Sequence, residues 1–456
     1  MRTRFLALIW TLLFAISSFA APGPAPDFEK LARELTMQMA ARHFESVADH
    51  FDGTMQSDMP SSKLSEFWTG LIGQAGAFQS ITATSVQDVQ GYKVVLATSK
   101  FEKTVLNLKW VFDADGHVAG FFVVPVDKPA PWSAPDYARP SSFHEEQVIV
   151  GDAPWEMSGT LTLPSGDGPF PAVVLVGGSG PEDKDETILS NKPFKDIAWG
   201  LASNKIAVLR YNKRTFQYGK ELRANDAGFT VNEETVIDAK DAVALLAARG
   251  EIDPHRIYVL GHSLGAMVAP RIAQGNPQVA GLILLAGPSR PFQQVLVEQV
   301  KYISGLDGKP TPEAQKQIDA VEQAKAKIEN PTLAADTRVN VLGSVIPGSY
   351  FLDLRGYRPV EVAAQLKIPM LILRGDRDYQ VTQEDLDGWK AALAGKPGVT
   401  VKSYPGLYHL FMPSTSAGSG LGTPADYQKA GHVTPQVVDD IAGWVQAQAK
   451  PDQAAQ

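Results

Sequence analysis

The chain contains no cysteine among its 456 residues. It can therefore form no disulfide bond, no thiolate metal site and no cysteine nucleophile. Its formal net charge is −8, whereas a nucleic-acid or anionic-membrane partner requires a basic surface. Runs of like charge, heptads and longer repeats are also absent. These absences indicate a globular protein with no nucleic-acid partner. The chain is also long enough for two domains.

The first twenty residues, MRTRFLALIWTLLFAISSFA, differ in composition from the rest. Arg2 and Arg4 precede an apolar stretch, which ends in small residues at Ala20. This order is typical of a secretory signal peptide at residues 1–20. It predicts a periplasmic or secreted protein with no stable membrane anchor after cleavage. The apolar stretch is short for a membrane span, and an uncleaved N-terminal anchor is the alternative.

Two units are expected after the signal peptide. Residues 26–127 combine helical spacing with strands that flank a DADG turn, which predicts a small α+β domain. Residues 128–142 are rich in proline, alanine and serine and predict a linker. In residues 143–456 apolar strands alternate with helices, which is typical of a mostly parallel sheet covered on both faces. The segment from about residue 292 to residue 358 interrupts this alternation. It predicts an inserted helical cap over the carboxyl ends of the strands.

The segment GHSLG, residues 261–265, follows an apolar strand and precedes a helix. The pattern G-x-S-x-G places a serine on a sharp strand-to-helix turn, as in hydrolases with a serine nucleophile. The alternative is a structural turn serine. Because the pattern occurs once and in the right context, we predict that Ser263 is a nucleophile.

A serine nucleophile needs a base, and a carboxylate should come between the two in the chain. Past Ser263 the histidines are His409 and His432. His409 follows the last predicted strand, whereas His432 precedes the final helix, where a capping or surface role is expected. Asp376 and Asp378 both follow the penultimate strand. We predict that Asp378 orients His409 and that Asp376 serves the turn.

The oxyanion of the reaction needs two backbone N–H donors. One is expected from Leu264, the residue after the nucleophile, and the other from the glycine-rich loop VGGSGPEDKDE. We predict Ser179 as the donor in that loop. A plain glycine-rich turn is the alternative, and phosphate binding is disfavoured because no G-K-[ST] follows.

Six segments follow one another along residues 143–449: GGSGPEDKDE, LRYNKRTF, GHSLGA, LLAGPSRP, LRGDRDYQV and YPGLYHLF. Together they resemble the serine carboxylesterases of the α/β-hydrolase superfamily. The subgroup they resemble carries an N-terminal nuclear-transport-factor-like or cystatin-like α+β domain. The resemblance implies an α/β-hydrolase fold, with a mostly parallel eight-stranded sheet and an inserted helical cap. It matches the family's nucleophile, acid and base to Ser263, Asp378 and His409.

The resemblance implies a carboxylesterase that acts on small-molecule esters with short acyl chains, without a metal or organic cofactor. A thioesterase or peptidase that uses the same triad and a catalytically silent binding protein are the alternatives. Self-association into a homo-oligomer is left open.

The sequence departs from the family pattern at three places, and these affect the expected pocket rather than the triad. Relatives often have Asp-Lys-Arg-Gly at 212–215 and Asp-Arg-Asp at 183–185, where this chain has NKRT and DKD. Relatives also often have asparagine where Tyr408 precedes the histidine. Arg214 is expected either to pair with a loop carboxylate or to lie on the surface.

Overall fold

A computed structural model describes residues 26–89, 92–126, 131–224, 228–306, 308–342, 344–416 and 420–448. The chain divides into two compact units, with the boundary between Lys128 and Pro129. The predicted signal peptide lies outside the described residues. Within them, no helix has the length and apolar composition needed to cross a membrane.

The first unit folds its described residues into helices followed by a sheet. Its elements are α1 (Phe28–Ala40), α2 (Phe44–Ala48), α3 (Gly53–Asp58), α4 (Ser61–Ala75), β1 (Phe78–Val89), β2 (Tyr92–Phe101), β3 (Val105–Phe112) and β4 (Val118–Pro125). The strands pair antiparallel in chain order, and the DADG turn joins β3 to β4 as predicted.

Helix α1 packs on this sheet because its apolar residues recur at helical spacing. Its buried residues are Ala32, Leu35, Thr36 and Met39. Thr36 also accepts a hydrogen bond from the Trp110 indole N–H of β3, at 2.9 Å. The first unit therefore has an α+β core of its own.

The second unit is built on an eight-stranded sheet of order β14-β13-β10-β9-β7-β8-β6-β5. Its first half contains β5 (Phe143–Val150), β6 (Met157–Pro164), β7 (Phe170–Val176), α5 (Pro193–Ser203), β8 (Ala207–Tyr211), α6 (Arg214–Gln217), α7 (Gly219–Ala224), α8 (Ile237–Ala247), β9 (Ile252–His262), α9 (Leu264–Ala273) and β10 (Val279–Leu285). Its last elements are β13 (Met370–Gly375), α14 (Gln383–Ala392), β14 (Val399–Tyr404) and α15 (Pro435–Ala447). β5 and β6 pair antiparallel with each other, and β6 pairs antiparallel with β8. The other neighbours run parallel, which confirms the predicted fold class.

Helices cover both faces of this sheet, so its central strands are buried throughout. Every residue of β7 and β13 is buried. In β7, Val174 packs in a core with α8 and α9, while Val173 packs in a second core with α5 and α15. The carboxyl ends of the parallel strands meet at one edge, and the loops that follow them form the candidate site.

The predicted cap lies between β10 and β13. It contains α10 (Phe292–Gly305), α11 (Pro312–Glu329), β11 (Arg338–Val341), β12 (Ser344–Pro347) and α12 (Gly348–Arg355), and α13 (Pro359–Gln365) follows it before β13. β11 and β12 form an antiparallel hairpin. This hairpin was not predicted, because each of its strands spans only four residues, too few for an alternating pattern to be recognised.

Part of the predicted linker is packed on the second unit. The Trp132 indole N–H donates to Asp196 Oδ1 at 2.8 Å, and its ring lies 4.9 Å from that of Trp199. Residues 140–142 form a single 3-10 turn before β5. This stretch is therefore less free to move than its proline-rich composition predicts, because the Trp132 side chain packs against α5.

Candidate active site

Ser263 lies at the turn between β9 and α9, with φ 53° and ψ −116°. A residue with a side chain rarely adopts such a conformation unless its surroundings hold it. The Ser263 N–H donates to the Leu285 carbonyl oxygen at the end of β10, at 2.9 Å, and the Ser263 carbonyl accepts from the Met267 N–H at 3.0 Å. The serine thus stands at the N-terminus of α9, where the aligned peptide dipoles favour negative charge.

The two glycines of the motif let the strand and the helix approach each other at this turn. A Cβ added to Gly261 would lie 2.3 Å from the backbone carbonyl group of Gly265. A Cβ added to Gly265 would lie 2.1 Å from the Val176 carbonyl oxygen at the end of β7. Backbone atoms in a packed sheet cannot move aside, so both positions require glycine.

Asp378 and His409 are brought together by the loops after β13 and β14. His409 Nδ1 lies 2.7 Å from Asp378 Oδ2, and both side chains are buried. The other carboxylate oxygen, Oδ1, accepts the N–H groups of Gln380 at 2.8 Å and Val381 at 3.1 Å. Because Nδ1 faces the carboxylate, Nε2 is the His409 nitrogen left to accept a proton. The His409 ring lies 4.6 Å from that of His262, which directly precedes Ser263.

The two alternative residues have other partners. Asp376 Oδ1 accepts the Gly406 N–H at 2.7 Å, and its own N–H donates to the Tyr404 carbonyl at 3.0 Å. Asp376 therefore shapes the turn after β13, in its predicted role. His432 Nδ1 lies 3.1 Å from Asp196 Oδ1, so it ties the segment before α15 to α5.

The glycine-rich loop after β7 runs beside Ser263. A Cβ added to Gly178 would lie 3.4 Å from the Ser263 Cβ. The Gly178 N–H already donates to Glu186 Oε1 at 2.8 Å, whereas no described residue accepts from the Ser179 N–H. Leu264 is the first residue of α9, so its N–H has no carbonyl partner one turn earlier in the helix. Both predicted oxyanion donors are therefore available.

Sequence reasoning missed His262 and Glu186, which connect this loop to the loop of His409. His262 Nδ1 lies 2.9 Å from Glu186 Oε1, and its Nε2 lies 3.0 Å from the His409 carbonyl oxygen. Both ring nitrogens therefore face acceptors, which suits the charged imidazolium. Burial opposes this charge, but Glu186 and the His409 carbonyl outweigh it and raise the pKa of His262. The available signal was a histidine directly after the apolar run IYVLG at the end of β9, and it does not reveal the partners.

The two basic residues of the segment that departs from the family pattern at 212–215, Lys213 and Arg214, are buried. Arg214 pairs with Asp238 of α8, and its guanidinium carbon lies 5.3 Å from the centroid of the Trp155 ring. Neither expectation for Arg214 is right, because it is buried and its partner belongs to a helix. In the DKD segment, Asp185 Oδ1 accepts from Arg210 Nε at 2.8 Å, so this carboxylate is used in an internal ion pair.

A possible metal-binding group in the described residues lies in the first unit. It consists of Asp113, Asp115 and His117 in the turn between β3 and β4. Asp113 Oδ1 already accepts the N–H groups of Asp115 at 3.0 Å and His117 at 2.8 Å. These bonds are those of an ordinary hairpin turn.

A mostly parallel eight-stranded sheet with a strained serine at a strand-to-helix elbow defines the class of α/β-hydrolases. A family model described as "Serine aminopeptidase, S33" (Hydrolase_4) matches residues 190–414. A second model, described as "Protein of unknown function (DUF3887)", matches residues 32–121 in the first unit.

The chain is also similar to proteins that are named as esterases. The chain is 36% identical over 440 residues to Esterase EstD of Thermotoga maritima, covering 96% of this chain and 99% of that one. It is 27% identical over 150 residues to Esterase FrsA of Klebsiella pneumoniae, covering 33% of this chain and 32% of that one. Among solved structures, Est1E from Butyrivibrio proteoclasticus matches with 13% identity and a TM-score of 0.44, over 66% of this chain and 99% of that one. The chain belongs to the α/β-hydrolase esterase family that includes Esterase EstD.

Proposed function

We propose that this protein is a serine ester hydrolase in which Ser263, His409 and Asp378 form the catalytic triad. The observation that carries the proposal is the buried contact of 2.7 Å between His409 and Asp378, in the unit that presents Ser263 at a strained elbow. Membership of an esterase family supports the same reaction.

In the acylation step, His409 Nε2 takes the proton of the Ser263 hydroxyl while the serine oxygen attacks the ester carbonyl carbon. The N–H groups of Leu264 and Ser179 hold the negatively charged oxygen of the tetrahedral intermediate. As the intermediate collapses, His409 gives the proton to the leaving alkoxide, and the acyl group stays on the serine. Asp378 holds the ring orientation and stabilises its charged form.

In the deacylation step, water takes the place of the serine hydroxyl. His409 accepts a proton from the water, which attacks the acyl carbon, and then returns the proton to Ser263 as the carboxylic acid leaves. Every proton moves through this one histidine, and the reaction needs neither a metal nor an organic cofactor. The resemblance to carboxylesterases favours short acyl chains. Self-association is left open, and the mass of the native protein in solution would test it.

The test is hydrolysis of p-nitrophenyl acetate, butyrate and octanoate by the mature protein and by the Ser263→Ala variant. We expect turnover that is fastest on the short esters and falls by about 10⁶-fold when the nucleophile is removed, as in other serine hydrolases. Ser289→Ala, outside the proposed triad, is the matched control. Persistent turnover by Ser263→Ala would contradict the assigned nucleophile. Turnover of thioesters or peptides alone would move the protein to one of those classes, and no turnover at all would favour a silent binding protein.

We also propose that the protein is exported to the periplasm or beyond the cell. The proposal depends on the basic start, the apolar stretch and the small residues before position 21. The absence of cysteine makes folding independent of the redox state of the compartment.

A further inference from the structure

Gly178 is held from both sides by buried side chains, although it belongs to a loop. Its N–H donates to Glu186 Oε1 at 2.8 Å, and its carbonyl oxygen accepts from Lys213 Nζ at 2.6 Å. The residues Glu186 and Lys213 are 3% and 4% exposed. Hydrogen bonds to charged groups are stronger than neutral ones, so the peptide groups on both sides of Gly178 have a defined orientation.

The carbonyl that Lys213 binds belongs to the same peptide group as the Ser179 N–H. In a planar trans peptide the C=O and the N–H point in opposite directions. An ammonium on the carbonyl oxygen therefore fixes the direction of the Ser179 N–H. It also polarises the peptide group, which makes that N–H a stronger donor.

Lys213 is itself held by a chain of contacts that reaches the cap. Lys213 Nζ donates to Glu234 Oε1 at 2.8 Å, and the Tyr350 hydroxyl of α12 donates to Glu234 Oε2 at 2.5 Å. Burial and the Glu234 carboxylate raise the pKa of Tyr350 well above its ordinary value, so the phenol remains a donor. Glu234 lies in a π-helical turn directly before α8, and such turns are frequent at functional sites.

We propose that Lys213 is a positioning residue for the oxyanion hole. It holds the Gly178–Ser179 peptide so that the Ser179 N–H meets the oxyanion, and Glu234 and Tyr350 hold Lys213 in place. The inference rests on the proposed function, because it assumes that the Ser179 N–H faces the reacting oxygen.

The main test variant is Lys213→Met, which keeps the aliphatic chain and removes the ammonium. A lone buried carboxylate at Glu234 would destabilise this variant. The double variant Lys213→Met with Glu234→Gln removes both charges, and Tyr350→Phe removes only the outer hydroxyl group. Lys390→Met is the matched control, because this lysine is exposed on α14 and lies 3.9 Å from Asp387.

Two measurements separate positioning from a merely structural role. The first is kcat and KM with p-nitrophenyl butyrate. The second is inhibition by an alkyl trifluoromethyl ketone, which forms an oxyanion adduct with the serine. We expect kcat/KM and the affinity for the ketone to fall together, by about tenfold to a hundredfold. This is less than the loss of about 10²–10³-fold on removal of a donor, because the donor itself remains. KM should stay within about threefold of the wild type, because the oxyanion hole binds the charged oxygen of the transition state more strongly than the neutral carbonyl of the bound ester.

An unchanged affinity for the ketone in a folded variant would overturn the inference, whether or not the rate changes. If Lys213→Met does not fold, the double variant decides. If that variant also fails, a parallel fall of both quantities in Tyr350→Phe supports the inference, and its absence overturns it. The Ser263→Ala variant separates the two proposals: turnover that persists there contradicts the proposed function, whereas full ketone affinity without Lys213 contradicts only the positioning role.

Discussion

Replacing Asp378 with asparagine should move the proton of the neutral His409 ring from Nδ1 to Nε2. Oδ1 of the aspartate accepts two backbone N–H groups, at 2.8 Å and 3.1 Å. In the Asp378→Asn variant the amide oxygen must stay at that position, because an NH₂ group there would face two donors. The amide NH₂ then faces His409 Nδ1, which must become an acceptor. The proton moves to Nε2, and the ring can no longer take a proton from Ser263.

The size of the effect follows from this tautomer argument. The equivalent substitution in a serine protease triad lowers kcat by about 10⁴-fold, and we expect the same order here, about 5 kcal/mol of transition-state free energy. The two backbone hydrogen bonds to the side chain are kept. The loss in folding stability should therefore be below about 2 kcal/mol, the scale of a single weakened hydrogen bond to a charged group. The effect on rate should thus far exceed the effect on stability.

The assay is steady-state hydrolysis of p-nitrophenyl butyrate, with thermal unfolding as the check on the fold. Asp376→Asn is the matched control, because the Asp376 side chain accepts the Gly406 N–H, and an amide oxygen can do the same. Its kcat should stay within about threefold, or about 0.6 kcal/mol. A folded Asp378→Asn protein that loses less than about tenfold in kcat would refute the assignment of Asp378 as the residue that orients His409.

Two further predictions concern stability and processing. The raised pKa of His262 means that its stabilising protonation is fully present below about pH 6.5 and is lost as the pH rises through the folded-state pKa. The difference in thermal unfolding midpoint between the wild type and His262→Gln should therefore shrink as the pH rises, and a constant difference from about pH 5.5 to 9 would contradict the charged ring. The exported protein should begin near Ala21, so its intact mass should lack the first twenty residues; a full-length mass in the membrane fraction would instead indicate an uncleaved anchor.

The part of the site that sequence reasoning could predict is the part encoded by local pattern. The elbow requires glycine at 261 and 265 because strand, turn and helix are neighbours in the chain, and the packing there forbids a side chain. The alternation of buried strands and helices predicts the parallel sheet. Since parallel strands end at one edge, the residues that follow β13 and β14 were expected near Ser263.

Other features depend on contacts between residues that are distant in the chain. Glu186 and His262 are 76 residues apart, and no local pattern in either segment reveals that they pair. Lys213 and Gly178 are 35 residues apart, and a lysine after a strand would ordinarily be expected in solvent. The cap hairpin is too short to show a period.

The sequence by itself determined the fold class and the candidate nucleophile, acid and base, because periodicity and turn chemistry are local properties of the chain. Only the tertiary structure decided which buried charged residues contact the glycine-rich loop after β7. That choice depends on how Lys213, after β8, reaches the loop after β7, and on how the π turn and the cap hold Lys213 in place. No local pattern in the sequence records this packing. The same packing ties Gly178 to Lys213 and Glu186, and thus gives the Ser179 N–H its direction.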